Sequence, residues 1–204
     1  AAGQVRNVAL ADGSTVALNG ASRIRAKIGG ARREVTLERG EALFDVRHDK
    51  NRPFVVAAGD GRVTVLGTRF DVALNRERVD LEVERGLVRF DKDLDRSTGV
   101  LVPASHRASL TGGAIAPPSP LHLDTAAAWR TGWLEASDMP LAEILPRLER
   151  WSSKPIFVRD QALLQKRVAG RFRLSNPRAV LDSLGALGGF EVQETGQAYV
   201  IDTR

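Results

Sequence analysis

Glu38-Arg39-Gly40-Glu41-Ala42-Leu43-Phe44-Asp45 returns further along the chain as Glu84-Arg85-Gly86-Leu87-Val88-Arg89-Phe90-Asp91, and a shorter echo stands between them at Gly67-Thr68-Arg69-Phe70-Asp71. Each copy reads as strand, glycine bend, then strand with a buried phenylalanine. Such a unit suits either a meander or a solenoid-like stack in which successive layers bury one another's apolar face. Outward from these copies the text stays strand-like: Thr15-Val16-Ala17-Leu18, Glu34-Val35-Thr36-Leu37, Pro53-Phe54-Val55-Val56, Arg62-Val63-Thr64-Val65-Leu66 and Arg78-Val79-Asp80-Leu81-Glu82-Val83. Apolar and polar positions alternate in these runs, the period of a half-buried strand. Turn signals separate them at Asp12-Gly13, Asn19-Gly20, Gly29-Gly30 and Gly59-Asp60-Gly61, where glycine tolerates the backbone angles of tight hairpins. Residues 1–111 therefore form an all-β domain.

Beyond it, Gly112-Gly113-Ala114-Ile115-Ala116-Pro117-Pro118-Ser119-Pro120 concentrates prolines that remove donors and favour extended backbone, and residues 112–130 read as a linker with a short helix capped by Asp124 and running through Trp129. Residues 131–204 alternate strands and helices. A strand at Gly132–Ala136 leads to a helix with Asp138 as its N-cap and Pro140 in its first turn; Leu141, Ile144, Leu145, Leu148 and Trp151 make one stripe, and Pro146, inside it, is expected to bend the helix. Strands follow at Pro155–Val158 and Arg167–Leu174. Asn176-Pro177 opens a second helix, with Val180, Leu181, Leu184 and Leu187 on its apolar face, and Gly188-Gly189 closes it. Two last strands, Phe190–Glu194 and Gln197–Asp202, flank Thr195-Gly196. The order is βαβ-βαββ, and the fold class is mainly β with α+β.

The 204 residues, 43% hydrophobic and 27% charged, are long enough to bury one large core or two small ones. No apolar run reaches the length of a membrane helix, and Ala1-Ala2-Gly3-Gln4 lacks the pattern of a signal peptide. The absence of cysteine excludes disulfides, thiolate zinc sites, iron–sulfur clusters and cysteine nucleophiles. Thirty basic against 25 acidic side chains permits a nucleic-acid partner without requiring one. Aromatic residues are only 5% and fall at apolar strand positions, which argues against stacking platforms for bases.

The constellations of catalysis are missing from the text. His48, His106 and His122 lie far apart without metal-ligand spacing, and no nucleophile elbow, phosphate loop or dinucleotide fingerprint occurs. Asp45, His48 and Asp49 come nearest to an acid–base cluster and read as a solvated turn; the pairs Glu82 with Glu84 and Asp91 with Asp93 read as solvated edges. No enzyme, metal or cofactor is expected. Two modules without a site point to binding through strand edges and apolar stripes.

Four strings in order, Leu10-Ala11-Asp12-Gly13-Ser14-Thr15-Val16-Ala17-Leu18-Asn19, Leu37 through Val46, Arg52-Pro53-Phe54-Val55-Val56 and Val65-Leu66-Gly67-Thr68-Arg69-Phe70-Asp71-Val72, resemble the periplasmic domain of the FecR family of sigma-factor regulators. Residues from Trp133 to Ile201 are similar to the short (STN) domain shared by secretins and TonB-dependent receptors. The resemblance implies the periplasmic part of a single-pass inner-membrane anti-sigma protein. Its partners would be the N-terminal signalling domain of an outer-membrane TonB-dependent siderophore transporter, an extracytoplasmic-function sigma factor held by a cytoplasmic segment outside this sequence, and the proteases of the signalling cascade.

The resemblance also implies contact through a leucine-rich helix, here Leu141, Leu145 and Leu148 with Trp151 beyond, against which stands the ordinary reading of such a stripe as core. The other candidate surface is a strand edge of the small domain, Val168–Leu174 with Phe172 or Tyr199–Ile201, to which a partner strand can add. A different class of reading makes the chain an envelope structural or carbohydrate-binding module, for which Trp129, Trp133 and Trp151 are the only tryptophans. A periplasmic hydrolase built on Asp45 and His48 ranks last.

Overall fold

The computed structural model describes residues 3–76, 78–92, 95–122 and 126–203, with 95–98 described by backbone alone. Asp124, expected to cap a helix, and Asp93, read with Asp91 as a solvated edge, lie outside the described residues, whereas Asp91 itself is buried and held by Arg89 at 3.0 Å. The chain divides into two compact units, one of Val5–Ala127 and one of Ala128–Arg204 together with Ala1–Gln4.

The first unit is built of strands: β1 (Arg6–Ala9), β2 (Thr15–Leu18), β3 (Arg23–Gly29), β4 (Arg32–Asp45), β5 (Phe54–Ala58), β6 (Gly61–Val65), β7 (Arg69–Asn75), β8 (Arg78–Arg85), β9 (Leu87–Lys92), β10 (Asp95–Pro103), β11 (His106–Thr111), β12 (Ala114–Ile115) and β13 (Ser119–Pro120). They make one hydrogen-bonded sheet whose pivot is the long strand β4. Its first part pairs with β3 and, in parallel, with β5; its last part, from Gly40, pairs with β2 and β7. One half-sheet is thus β3-β4-β5-β6-β9-β10 and the other β1-β2-β4-β7-β8-β11, with β12 and β13 short additions to β11.

The three sequence copies are the places where the chain changes half-sheet. Gly40 turns β4 from one half to the other, Gly67 lies between β6 and β7, and Gly86 lies between β8 and β9. Gly40 and Gly86 have φ of +87° and +93°, a region that costs any residue with a Cβ. A meander is excluded, because β9 returns to β6 instead of pairing with β8. The phenylalanines of the copies, Phe44, Phe70 and Phe90, have no exposed surface. Phe44 stacks on Phe70 with centroids 5.3 Å apart and meets Phe54 of the other half edge-on at 6.2 Å, so the core sits between the half-sheets. Charged residues of the same copies meet at the rim: Arg69 reaches Asp45 at 2.8 Å and Glu84 at 2.5 Å, and Arg85 reaches Asp45 at 2.9 Å. Burial opposes the Arg69 charge, but its hydrogen bonds to Glu84 and Asp45 prevail and raise its pKa above the usual value.

The proline-rich stretch is not a free linker. Leu110 and Thr111 pair with Ile115 and Ala114, His106 and Arg107 pair with Pro120 and Ser119, and the Leu121 N–H bonds the Ser105 carbonyl at 2.8 Å. Proline is tolerated at a sheet edge because no further strand asks for its missing donor.

In the second unit a 3₁₀ turn at Ala128–Thr131, in place of the expected helix, precedes β14 (Trp133–Pro140), α1 (Leu141–Glu149) and β15 (Ile156–Val158). A further 3₁₀ turn (Gln161–Gln165), β16 (Arg167–Arg173), α2 (Pro177–Gly188), β17 (Phe190–Glu194) and β18 (Tyr199–Thr203) complete it. β14 and β16 form an antiparallel ribbon; β15, β18 and β17 form a second sheet in that order. Asn176 caps α2 by accepting from the Ala179 N–H at 3.2 Å, and left-handed Gly189 ends it. Asp138 does not cap α1. It sits at φ +52° in a bulge of β14, which runs on to pair Pro140 with Arg167, so the helix starts only at Leu141, with Pro146 inside it. No helix among the described residues is long and apolar enough to cross a membrane.

Candidate functional site

The acid–base cluster considered from the sequence does not assemble. Asp45 is engaged by Arg69 and Arg85, and Asp49 by Arg52 at 2.8 Å, while His48 lies exposed on its loop. The Arg52 hydrogen bond, helped by the Asn51 N–H, holds the Asp49 carboxyl below its usual pKa. Among the described residues no group of histidine and carboxylate side chains is arranged to hold a metal ion.

The leucine stripe of α1 turns inward. Leu141 and Leu148 have no exposed surface, Ile144 none, and Leu145 only 6%. Phe172 and Tyr199 are buried as well. Leu148→Ala is therefore expected to destabilise the second unit by about 2–5 kcal/mol, the cost of a core leucine. The measurement is urea unfolding followed by tryptophan fluorescence, because Trp129, Trp133 and Trp151 all belong to this unit. A change under about 1 kcal/mol would show that the stripe is not core.

Trp151, at the end of that stripe, is half-buried, and its indole N–H is enclosed without a partner among the described residues. Gly3 lies against this ring and donates its N–H to the Arg150 carbonyl at 3.2 Å. Trp129 is buried, and Trp133 carries two guanidinium groups over its ring, Arg171 at 4.2 Å and Arg173 at 4.8 Å from the centroid. A carbohydrate platform needs an open ring face, which buried Trp129 does not offer and which the two arginines occupy on Trp133.

Of the two strand edges, Tyr199–Ile201 is not one: β18 is central, flanked by β15 and β17, because the Thr195-Gly196 turn folds β17 onto one side while β15 takes the other. β16 is a true edge: among the described residues it pairs only with β14. Val168 and Phe172 point into the core, Arg171 and Arg173 project outward beside Trp133, and Arg167 projects outward at the other end of the strand, opposite Pro140. Arg171 shares Glu135 at 2.7 Å and Arg167 shares Asp138 at 2.9 Å, while Arg173 has no carboxylate within ion-pair distance among the described residues. Exposed apolar side chains lie elsewhere: Phe157 and Leu187 in this unit, and Leu66, Leu87 and Leu101 in the first.

Two family models match this architecture in order: the one described as FecR protein over residues 1–89, and the one described as FecR, C-terminal over residues 134–201. The chain belongs to the FecR family. Crystal structures of a proposed anti-sigma factor from Parabacteroides distasonis share the FecR chain's fold throughout. One gives a TM-score of 0.87 at 24% identity and another 0.86 at 25%, each match covering 100% of this chain and 96% of the other. A search of the curated proteins finds no match.

The exposed basic ribbon was only half legible in advance. Alternation in Arg167–Leu174 marks its arginines as outward-facing, but nothing in the text tells an edge strand from a central one.

Proposed function

We propose that this FecR chain is the periplasmic, signal-receiving region of a transmembrane anti-sigma regulator. Its second unit, read as an STN-like module, docks the N-terminal signalling domain of an outer-membrane TonB-dependent transporter of the siderophore-uptake class. The observation that carries this reading is the order of the two matched regions, FecR then FecR C-terminal, in one chain whose fold follows that of a proposed anti-sigma factor from end to end. The sigma factor would be held by a cytoplasmic segment outside this sequence, and site-specific proteolysis would relay the signal. An unpaired strand edge on the second unit supports docking by a folded partner, since main-chain groups left open by β16 supply affinity without a deep pocket.

Calorimetric titration of the 204-residue chain with the purified signalling domain of the transporter encoded beside it tests the reading. Saturable one-to-one binding with a Kd of about 1 μM or tighter is the expected result. Absence of heat, with no co-migration of the two folded proteins on a sizing column, would sink it.

A further inference from the structure

We infer that β16 is a recognition edge for an acidic β-strand, which adds beside it with carboxylates set opposite Arg171 and Arg173. The inference rests on the docking reading of the second unit and adds to it the surface and the chemistry of the partner.

The ladder fixes which groups are open. The Leu174 N–H bonds the Gly132 carbonyl at 2.9 Å, so Leu174 is a hydrogen-bonded position of the β14–β16 pair. Hydrogen-bonded and non-hydrogen-bonded pairs alternate in an antiparallel ladder, which makes Phe172 and Gly170 the next bonded positions and leaves Arg173 and Arg171 between them. The main-chain N–H groups of Arg171 and Arg173 and the Arg171 carbonyl then point away from β14. No described strand pairs on that side; the Arg173 carbonyl alone is used, accepting from the Asn176 N–H at 3.4 Å as the chain turns into α2.

Side chains set the partner's charge. Arg167, Arg171 and Arg173 stand on this strand, against which the ribbon sets Glu135 and Asp138. The surplus is positive, and Trp133, held under two guanidiniums, keeps Arg171 and Arg173 extended over the ribbon face. A strand added to β16 places its residues directly opposite these arginines at cross-strand distance, where carboxylates are favoured and lysines repelled. Two other edges of the unit fit worse. On β15 the Ile156 N–H is already taken by Glu149 at 3.1 Å, and on β17 the side chains of Glu191 and Glu194 give the opposite charge.

The test is an NMR titration of the isotope-labelled 204-residue chain with a short end-capped peptide alternating glutamate and valine, and with its lysine counterpart. Expected are saturable shifts of the Arg171 and Arg173 amides and the Trp133 indole N–H with the glutamate peptide, and none with the lysine peptide. The double variant Arg171→Glu/Arg173→Glu, shown to be folded by an otherwise unchanged spectrum, should bind the glutamate peptide at least about tenfold more weakly. Shifts that are absent at millimolar peptide, or equal for the two peptides, overturn the inference. Concentration-dependent dimerisation through β16, seen by sedimentation, would assign the edge to a second copy and overturn it as well. If the transporter domain fails in calorimetry while the glutamate peptide moves Arg171, the partner's identity fails and the edge stands. If the domain binds and its shifts fall at Phe157 or Leu187 instead, the edge fails and the docking reading stands.

Discussion

Arg33→Ala is expected to destabilise the first unit by about 3–5 kcal/mol, the loss seen when one member of a buried charge pair is removed. Arg33 is the largest fully buried side chain of the fold, 2% exposed, and every one of its donors is used. Nε bonds the Arg52 carbonyl at 2.7 Å. One terminal nitrogen bonds Asp12 at 3.2 Å and the Arg47 carbonyl at 2.8 Å, and the other reaches the carbonyls of Asp49 and Leu66 at 3.4 Å. The guanidinium also lies 5.6 Å from the Phe54 ring centroid. Alanine would leave the Asp12 carboxylate, 3% exposed, without its cation, and would strip the loop between β4 and β5 of the group that gathers its carbonyls. Arg33→Lys should recover little, since an ammonium offers three donors from one point where five are needed in a planar fork. Urea unfolding monitored by far-ultraviolet circular dichroism measures both variants. A loss below about 1 kcal/mol for Arg33→Ala would show that the network adds nothing net to stability.

Gly40→Ala is expected to be comparably damaging, for a steric reason. Left-handed φ costs a residue with a Cβ about 1–2 kcal/mol, and overpacking adds about 1–3 kcal/mol. Here the new atom would fall 2.7 Å from the Ser22 Cα, which is backbone and cannot rotate aside. Ser22 is itself fixed, its Oγ accepting from the Glu41 N–H at 2.9 Å and donating to the Gly20 carbonyl at 3.2 Å. Gly86→Ala meets a softer obstacle, the Thr68 Cγ2, so Thr68→Ser should restore the steric part of its loss. No change at Ser22 that keeps its backbone should do the same for Gly40→Ala. Midpoints of thermal unfolding for the two single variants and the Gly86→Ala/Thr68→Ser double variant decide this; equal losses at both glycines would contradict the corner geometry.

Arg33 is a residue whose burial local pattern does not settle. Val35 and Leu37 alternate inward on β4, and the same parity carried back two residues lands on Arg33. That signal was present, but an arginine beside the Gly29-Gly30 turn reads as solvent-facing unless the loops that will close over it are known. Asp138 failed for a related reason. Its sequence context is that of a helix cap, yet the Leu141 N–H is claimed by the Lys166 carbonyl, and pairing with a strand more than twenty residues away prolonged β14 past it. The helix stripe Leu141–Leu148 was legible as apolar, and burial assigned it to the core.

Local pattern by itself determined β2 and β4 to β9 of the first unit but not β1, β3 or β10 to β13; it also determined the glycine corners with their phenylalanines, the Asn176 cap, the Gly189 stop and the order of strands and helices in the second unit. Those features depend on neighbours within a few residues, on alternation and on glycine's access to positive φ. Tertiary structure alone decided that the corners move the chain between half-sheets, that the proline stretch lies on a sheet edge, that Arg33 is enclosed, and that β16 is open while β18 is not. Strand order and burial are set by which distant segments pair, and pairing partners leave no mark within the segment that receives them.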